Sequence, residues 1–420
     1  MKSGWQQKTF GEILLKTETV NPQAFPNSEF DYVDVSSVSN QTYEIMETQR
    51  IRGKDAPSRA RRLIKANDVI FATVRPTLQR IAIVPEYLDN QVCSTGYFVL
   101  RPKSIIGHKY MFYWLFSEYF MSQMEILQKG ASYPAVTDAE VQSQSIPFPS
   151  LVEQQRIVAI LDEAFEGIAI AKANAEKNLK YMSDIISAGF ISLTLKENQT
   201  DWPLETVASI AASQKGSIRT GPFGSQLLHS EFVDSGIAVL GIDNAVFNEF
   251  RWAKSRYITQ EKYQQLQRYR VHPGDVLITI MGTCGRCAIV PDDVPIAINT
   301  KHLCCITLNR KKCLPRYLHA YFLYHPVAQE FLSRQAKGAI MAGLNMGLIE
   351  ELPVILPSVE QQIEIVNSFD SLISETKHLT SINQQKIIAL ESLKKSLLDQ
   401  AFSGNLTDKV TDRSLAEAAL

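Results

Sequence analysis

A repeat with an offset of about two hundred residues runs through the whole of this 420-residue chain. Trp5 leads into Phe10-Gly11-Glu12-Ile13, and Trp202 leads into Val207-Ala208-Ser209-Ile210. Asp68-Val69-Ile70 matches Asp275-Val276-Leu277, and Ala82-Ile83-Val84-Pro85 matches Ala288-Ile289-Val290-Pro291. Lys129-Gly130-Ala131 matches Lys337-Gly338-Ala339. Pro149-Ser150-Leu151-Val152-Glu153-Gln154-Gln155 returns as Pro357-Ser358-Val359-Glu360-Gln361-Gln362. So long a period excludes a solenoid of small units and leaves a duplicated module.

Each copy has two parts. The first is mixed: Val69 to Val74 and Val276 to Ile280 are β-branched or aromatic runs opened by Asn67-Asp68 and Gly274-Asp275 turn signals, which predicts strands. Helical patches follow at Tyr110 to Leu127 and Arg316 to Arg334. The second part predicts one long helix. In the first copy Ile157, Leu161, Ala164, Ile168, Ala171, Ala175, Leu179, Met182, Ile186, Gly189 and Leu193 recur in threes and fours. In the second copy Phe369, Leu372, Leu379, Ile382, Leu390, Leu393 and Leu397 form the corresponding stripe. A helix of ~40 residues is ~60 Å long and needs a partner for its seam. Either the two copies pair antiparallel, or each helix folds back on its own domain.

The expected fold class is therefore mixed α/β (α+β): two domains separated by two long antiparallel coiled-coil helices, with a pseudo-twofold internal repeat. The expected boundaries are a first domain at 1–150, a central helical spacer at 151–198, a second domain at 199–357, a distal spacer at 358–407 and a tail at 408–420.

Hydrophobic residues make up 45% and charged residues 21%, as in an ordinary globular protein. No apolar stretch is long enough for a transmembrane helix, and the first residues contain no apolar core of a secretory signal. Six scattered cysteines read as reduced thiols. The cytoplasm is the expected location. A formal net charge of −1 argues mildly against a nucleic-acid binder, but net charge hides distribution. Arg50, Arg52, Lys54, Arg59, Arg61, Arg62 and Lys65 are opposed within their run only by Asp55. Arg251, Lys254, Arg256, Lys262, Arg268 and Arg270 stand at the equivalent place, opposed by Glu261. Such runs are either solvated faces or, because they recur, sites for a shared anionic ligand such as a phosphate backbone. Loops at Arg75 to Arg80, Gly282 to Arg286 and Arg219 to Ser225 add basic, glycine- or proline-bent segments. Arg80 and Arg286 both precede an Ala-Ile-Val strand, where each either braces the turn or contacts DNA.

Chemistry-bearing patterns are weak. Cys284-Gly285-Arg286-Cys287 has redox or zinc spacing but no second pair. Gly221-Pro222-Phe223-Gly224-Ser225 lacks the Gly-Lys-Ser/Thr of a nucleotide loop. No Asn/Asp-Pro-Pro-Tyr/Phe tetrapeptide is present. The expected sites contain no catalytic residue and no metal.

At the paired Glu-Gln-Gln segments the chain resembles the specificity subunits of type I restriction–modification systems. Pro149 to Asp162 resembles that family's central helical region, and Pro357 to Gln362 with Leu397 to Leu406 its distal one. Gly274 to Val290, and Val74 to Arg80 with Ser94-Thr95-Gly96-Tyr97, resemble its target-recognition domains. The resemblance implies a DNA-binding subunit whose two domains each read half of a bipartite double-stranded target. Its helices would set the unread spacer and dock two methyltransferase subunits. Motor-nuclease subunits would complete the restriction complex, and S-adenosylmethionine, ATP and Mg2+ would belong to those partners. The expected DNA contacts are Arg50, Arg52, Lys54, Arg59, Arg61, Arg75, Arg80, Arg219, Arg251, Lys254, Arg256, Arg268 and Arg286. Helix pairing and docking fall to Ile157, Leu161, Ile168, Leu179, Met182, Ile186, Phe369, Leu372, Leu379, Leu390, Leu393 and Leu397. The alternatives are a helical scaffold that binds no DNA, and a subunit of a methylation-only complex.

Overall fold

The computed structural model describes residues 2–195, 201–336 and 344–407. The repeat anchor Lys337-Gly338-Ala339, the end of the central spacer with residues 199–200, and the tail at 408–420 lie outside the described residues. The chain packs as two compact units: residues 1–176 with 385–420, and residues 177–384. Each unit thus combines one mixed domain with a stretch of both long helices.

The first unit contains β1 (Gln6–Thr9), β2 (Glu29–Val33), β3 (Gln49–Arg52), β4 (Ala60–Ile64), β5 (Val69–Ala72), β6 (Ile81–Ile83), β7 (Gln91–Ser94), β8 (Tyr97–Leu100) and β9 (Ser145–Phe148). The second contains β10 (Leu204–Thr206), β11 (Ile218–Thr220), β12 (Ile237–Leu240), β13 (Tyr257–Ile258), β14 (Arg270–Val271), β15 (Val276–Thr279), β16 (Cys287–Ile289), β17 (Ala297–Asn299), β18 (Leu303–Ile306) and β19 (Pro353–Ile355). The sheets repeat strand for strand. Order β3-β2-β7-β4 returns as β13-β12-β17-β14, with β2–β7 and β12–β17 the parallel pairs. Order β6-β5-β8 returns as β16-β15-β18, with β11 added beside β18. β1 pairs with β9, and β10 with β19.

The shared Asp-Val motif explains the frame. β5 and β15 are buried at every position and apolar throughout except for Thr279 at the end of β15. Each follows a left-handed residue, Asn67 at φ 68° and Gly274 at φ 78°, so the turn needs asparagine or glycine there. The following aspartate closes the turn: Asp68 accepts from the Lys65 N–H at 2.8 Å, and Asp275 from the His272 N–H at 2.9 Å. Both carboxylates are buried, and each has a guanidinium. Arg101, just after β8, donates to Asp68 at 2.8 Å. At the equivalent place after β18 stands Thr307, and Arg219 on β11 takes over, donating to Asp275 at 2.6 Å and to the Thr307 hydroxyl at 2.9 Å.

The Glu-Gln-Gln repeat is a helix-start lock. Gln154 accepts from the Gly107 N–H and donates to the Ile105 and Pro149 carbonyls. Gln362 accepts from the Leu314 N–H and donates to the Lys312 and Pro357 carbonyls. Both amides are buried. The helices they open run from Leu151 to Thr194 and from Val359 to Ser403, each longer than most helices of globular proteins. Among the described residues, none is long and apolar enough to cross a membrane.

Within each unit the two helices are antiparallel. In the first, Glu153 meets Thr407 and Lys172 meets Glu391. In the second, Asn178 meets Asn383, and a side chain at Gly189 would overlap Leu372. The central seam follows the expected stripe: Ile157, Leu161 and Ala175 are buried, while Ile168, Leu179, Met182 and Ile186 are partly so. Phe190, beside Gly189, is fully buried and was outside the stripe. The distal seam departs from it. Phe369 is buried and Leu372, Leu390 and Leu397 are partly so, but Leu379 is 46% and Leu393 47% exposed, and Ile382 is also exposed. The buried face there runs through Thr376 and Asn383 instead. Their donors are satisfied within the helix by the Leu372 and Leu379 carbonyls, and the Asn383 amide oxygen accepts from Asn178 across the seam, which lets both side chains be buried. A stripe traced only through apolar letters drifts off that face.

Candidate nucleic-acid interface

In each unit three loops converge beyond the ends of β2, β5 and β7, or of β12, β15 and β17. In the first, the Tyr97 hydroxyl at the start of β8 donates to the Asp34 and Val35 carbonyls. Thr73 donates through its N–H to the Gly96 carbonyl at 2.8 Å. Arg80 is half-buried, and its guanidinium donates to the Val38 carbonyl. Arg75, in the left-handed region at φ 51°, donates from its N–H to the Pro134 carbonyl. Its guanidinium lies 4.8 Å from the centre of the Tyr133 ring, and that ring is 70% exposed.

In the second unit, Thr300 donates to the Leu240 carbonyl and Ile280 to the His302 carbonyl, each at 2.9 Å. Gly221 joins them by donating to the Thr300 carbonyl. Arg286 is exposed, while its N–H is fixed by the Thr279 hydroxyl at 2.9 Å. The loop after β12 brings Phe247, exposed, under the Arg251 guanidinium at 4.7 Å, and packs Phe250 edge-on against exposed Trp252 at 5.2 Å. Lysine and arginine neighbours and burial hold the His302 imidazole below its ordinary pKa: burial contributes most, then Lys301 and Arg256. At this edge Arg256 Nη1, Asn299 Oδ1 and Thr300 Oγ1 are buried without a hydrogen-bond partner among the described residues. Buried polar atoms are usually satisfied, so this edge has spare hydrogen-bonding capacity.

The basic runs do not form the patches their letters suggest. β3 and β4 are opposite edges of one four-stranded sheet, three strand spacings or about 14 Å apart. Arg50 and Arg52 sit on β3 and Arg61 on β4. Neighbouring segments also supply acids that the run lacks. Arg50 pairs with Asp31 at 3.1 Å and Arg52 with Glu29 at 3.4 Å. Arg62 pairs with Asp138 and Lys65 with Glu18, while Arg61 donates to Asn21. Lys54 and Arg59 are exposed and form no ion pair among the described residues. In the second run Arg256 pairs with Asp243 at 2.7 Å and Arg251 with Glu249 at 3.3 Å. Lys254 is exposed and Arg268 lies over the Tyr269 ring. Arg219 is corrected outright: 8% exposed and bound to Asp275, it is a core ion pair and offers nothing to a ligand.

Of the matched pair, Arg80 braces the loop and Arg286 projects from it. The exposed aromatics Phe247, Trp252 and Tyr133 were missed. The interleaving Phe250-Arg251-Trp252-Ala253-Lys254 was the available signal. The Cys284/Cys287 pair does not open onto a ligand: Cys287 is fully buried, and burial pushes its thiol up. Cys304 is likewise pushed up to about 12. Among the described residues no group of three metal-ligating side chains assembles. The arrangement presents guanidinium forks and aromatic faces on rigidly held loops, which suits phosphates and base edges.

A family model described as the type I restriction modification DNA specificity domain matches residues 2–181 and 242–392. The chain is 24% identical over 348 residues to the type I restriction enzyme EcoBI specificity subunit of Escherichia coli, covering 77% of this chain and 70% of that protein. Its fold matches the HsdS subunit from Thermoanaerobacter tengcongensis at a TM-score of 0.68 and 26% identity, over 97% of this chain and 98% of that one. A chain from a structure concerned with complex assembly and conformational transition of the type I R-M system matches at a TM-score of 0.82 and 25% identity, over 97% and 99% of the two. With the family model spanning most of both repeats and the fold shared along nearly the whole length, the chain belongs to the type I restriction–modification DNA specificity family.

Proposed function

We propose that this chain is the sequence-reading subunit of a type I restriction–modification complex and contributes no reacting group. Each module reads one half of a bipartite duplex target. Partner methyltransferase subunits modify adenine with S-adenosylmethionine, and motor-nuclease subunits cleave with ATP and Mg2+. Exposed Leu379 and Ile382, three residues apart on the distal helix, offer an apolar surface suited to docking the methyltransferase subunits. The observation that carries the reading is the loop edge of the second unit, where Arg286, Arg251 and Trp252 are exposed and Arg256 Nη1, Asn299 Oδ1 and Thr300 Oγ1 are buried without a hydrogen-bond partner among the described residues. A salt titration of duplex binding by the full chain tests it. Log affinity should fall linearly with log salt as counterions are released. Arg286→Ala should reduce the slope by about one if it touches phosphate, or cost ~1–3 kcal/mol at a single base position if it reads a base. Salt-independent or undetectable duplex binding would favour the helical scaffold.

A further inference from the structure

The loop after β12 carries Phe247, Arg251 and Trp252, yet its backbone is irregular and must be held from outside. The bend is Asn248, a non-glycine residue at φ 59°, in a region that asparagine tolerates but that needs support. Its side-chain oxygen accepts from the Cys287 N–H on β16 at 3.2 Å. Its backbone carbonyl lies 2.9 Å from His319 Nε2, which also lies 3.1 Å from the Cys287 carbonyl. His319 stands on the helix Pro315–Tyr324 and is only 7% exposed. Its other nitrogen, Nδ1, lies 2.8 Å from Arg316 Nη1. A guanidinium can only donate, so Nδ1 must accept and the proton must sit on Nε2. Nε2 is therefore the donor, shared between the two carbonyls. Arg316 is itself held by Asp370 on the distal helix, with Nε 2.8 Å from the carboxylate. Burial, and then the nearby Arg316 charge, hold the ring neutral with a pKa near 4, which keeps this single tautomer at neutral pH. The result is a chain of contacts, Asp370 to Arg316 to His319 to Asn248, that ends on the loop bearing the exposed aromatic and basic side chains.

We propose that His319 is a positioning residue for DNA recognition, its Nε2–H fixing the bend at Asn248 so that Phe247, Arg251 and Trp252 are presented in one arrangement. This rests on the reading that the loop after β12 contacts DNA. His319 touches no base or phosphate itself; it acts through Asn248.

The test uses the full chain in two measurements: the rate of tryptic cleavage after Arg251, and the base preferences recovered from a randomised duplex library. His319→Leu keeps the bulk and removes both nitrogens. It should speed cleavage after Arg251 roughly tenfold, the loss of about one buried hydrogen bond. It should also blur one half of the recovered sequence and leave the other half sharp. His319→Gln, whose amide can donate to the carbonyl and accept from Arg316, should restore both measurements nearly to wild type. Arg316→Gln frees the tautomer at a half-buried position and carries the test if His319→Leu does not fold; it should speed cleavage about threefold, a weaker effect of the same kind. If Arg251→Ala blurs that half while His319→Leu, or Arg316→Gln in its place, leaves both measurements as in wild type, the loop reads DNA and the positioning role is wrong. If Arg251→Ala and deletion of the Trp252 side chain also leave the recovered sequence sharp, the loop does not read DNA and the proposal falls with that reading.

Discussion

The two units share a backbone plan but fill it with different chemistry. The Asp68 turn is neutralised by an arginine from the end of β8, the Asp275 turn by one from an extra edge strand. The helix that follows each sheet starts from the same glutamine lock, and a cation two residues in reaches a carboxylate on a long helix: Lys109 to Asp162, Arg316 to Asp370. Three residues further, the positions part. In the second unit His319 grips its loop by hydrogen bonds. In the first, Phe112 occupies that place and packs on Phe116, which meets Tyr43 of the loop at 4.5 Å. Tyr43 in turn lies under Lys394 at 4.7 Å. The frame therefore specifies where a constraint is needed and leaves open which side chains supply it.

The largest difference between the units is expected at the buried ion pairs. Arg101→Met and Arg219→Met should each cost ~3–5 kcal/mol by leaving an aspartate buried and unpaired. The double change Arg219→Ser with Thr307→Arg moves the second unit's guanidinium to the first unit's position. It should recover most of that loss in chemical denaturation followed by hydrogen exchange. A double variant as unstable as Arg219→Met would show that the two solutions are not interchangeable.

Gln154→Ala and Gln362→Ala sharpen the opposite point, because here the units are alike. Each change strands one backbone N–H and two carbonyls, and each should cost ~1–3 kcal/mol. Local unfolding measured by hydrogen exchange at Gly107 and at Leu314 should give matching losses. Markedly unequal losses would mean that the lock matters in only one copy.

A third effect, no larger than that of the glutamine lock, separates the units by pH. His319 and His325 are both held at about 4 by burial, whereas the first unit has only the half-buried His108. A histidine whose folded pKa is depressed leaves the unfolded chain holding more protons between about 4 and 6.5, so stability is full above 6.5 and falls as pH drops through that window. The second unit should lose on the order of 1–3 kcal/mol more than the first on acidification. His319→Gln should remove part of the difference. Equal acid sensitivity of the two units would contradict the buried neutral rings.

The repeat, the long helices and the buried Asp-Val strands were legible because period and apolar runs survive translation into letters. The helix seam was half legible: Thr376 and Asn383 are buried because intrahelical carbonyls accept from them and Asn178 donates to Asn383, a fact no hydrophobicity count contains. The site was less legible. A run of seven basic residues counts only the acids beside it in sequence, whereas Asp31, Glu29, Asp138 and Glu18 arrive from other segments. Arg219 looked like the tip of a glycine-rich loop because its partner lies more than fifty residues away. His319 offered no local signal, since its meaning depends on a carbonyl seventy-one residues distant.

The division of the chain into units has a genetic consequence. The first unit is completed by residues from 385 onward, which follow the whole of the second unit in the chain. Phe402 packs edge-on against Tyr110 at 5.3 Å and Trp114 at 5.0 Å, and Lys394 sits against Tyr43 and Phe165. An exchange that replaced only residues 1–150 would therefore keep these residues from the old parent. Only incoming domains that still offer an aromatic wall to Phe402 and a cage to Lys394 will be accepted. An exchanged segment 1–150 and the unit that folds would be different lengths of chain, and packing of residues 385–407 would set which exchanges fold.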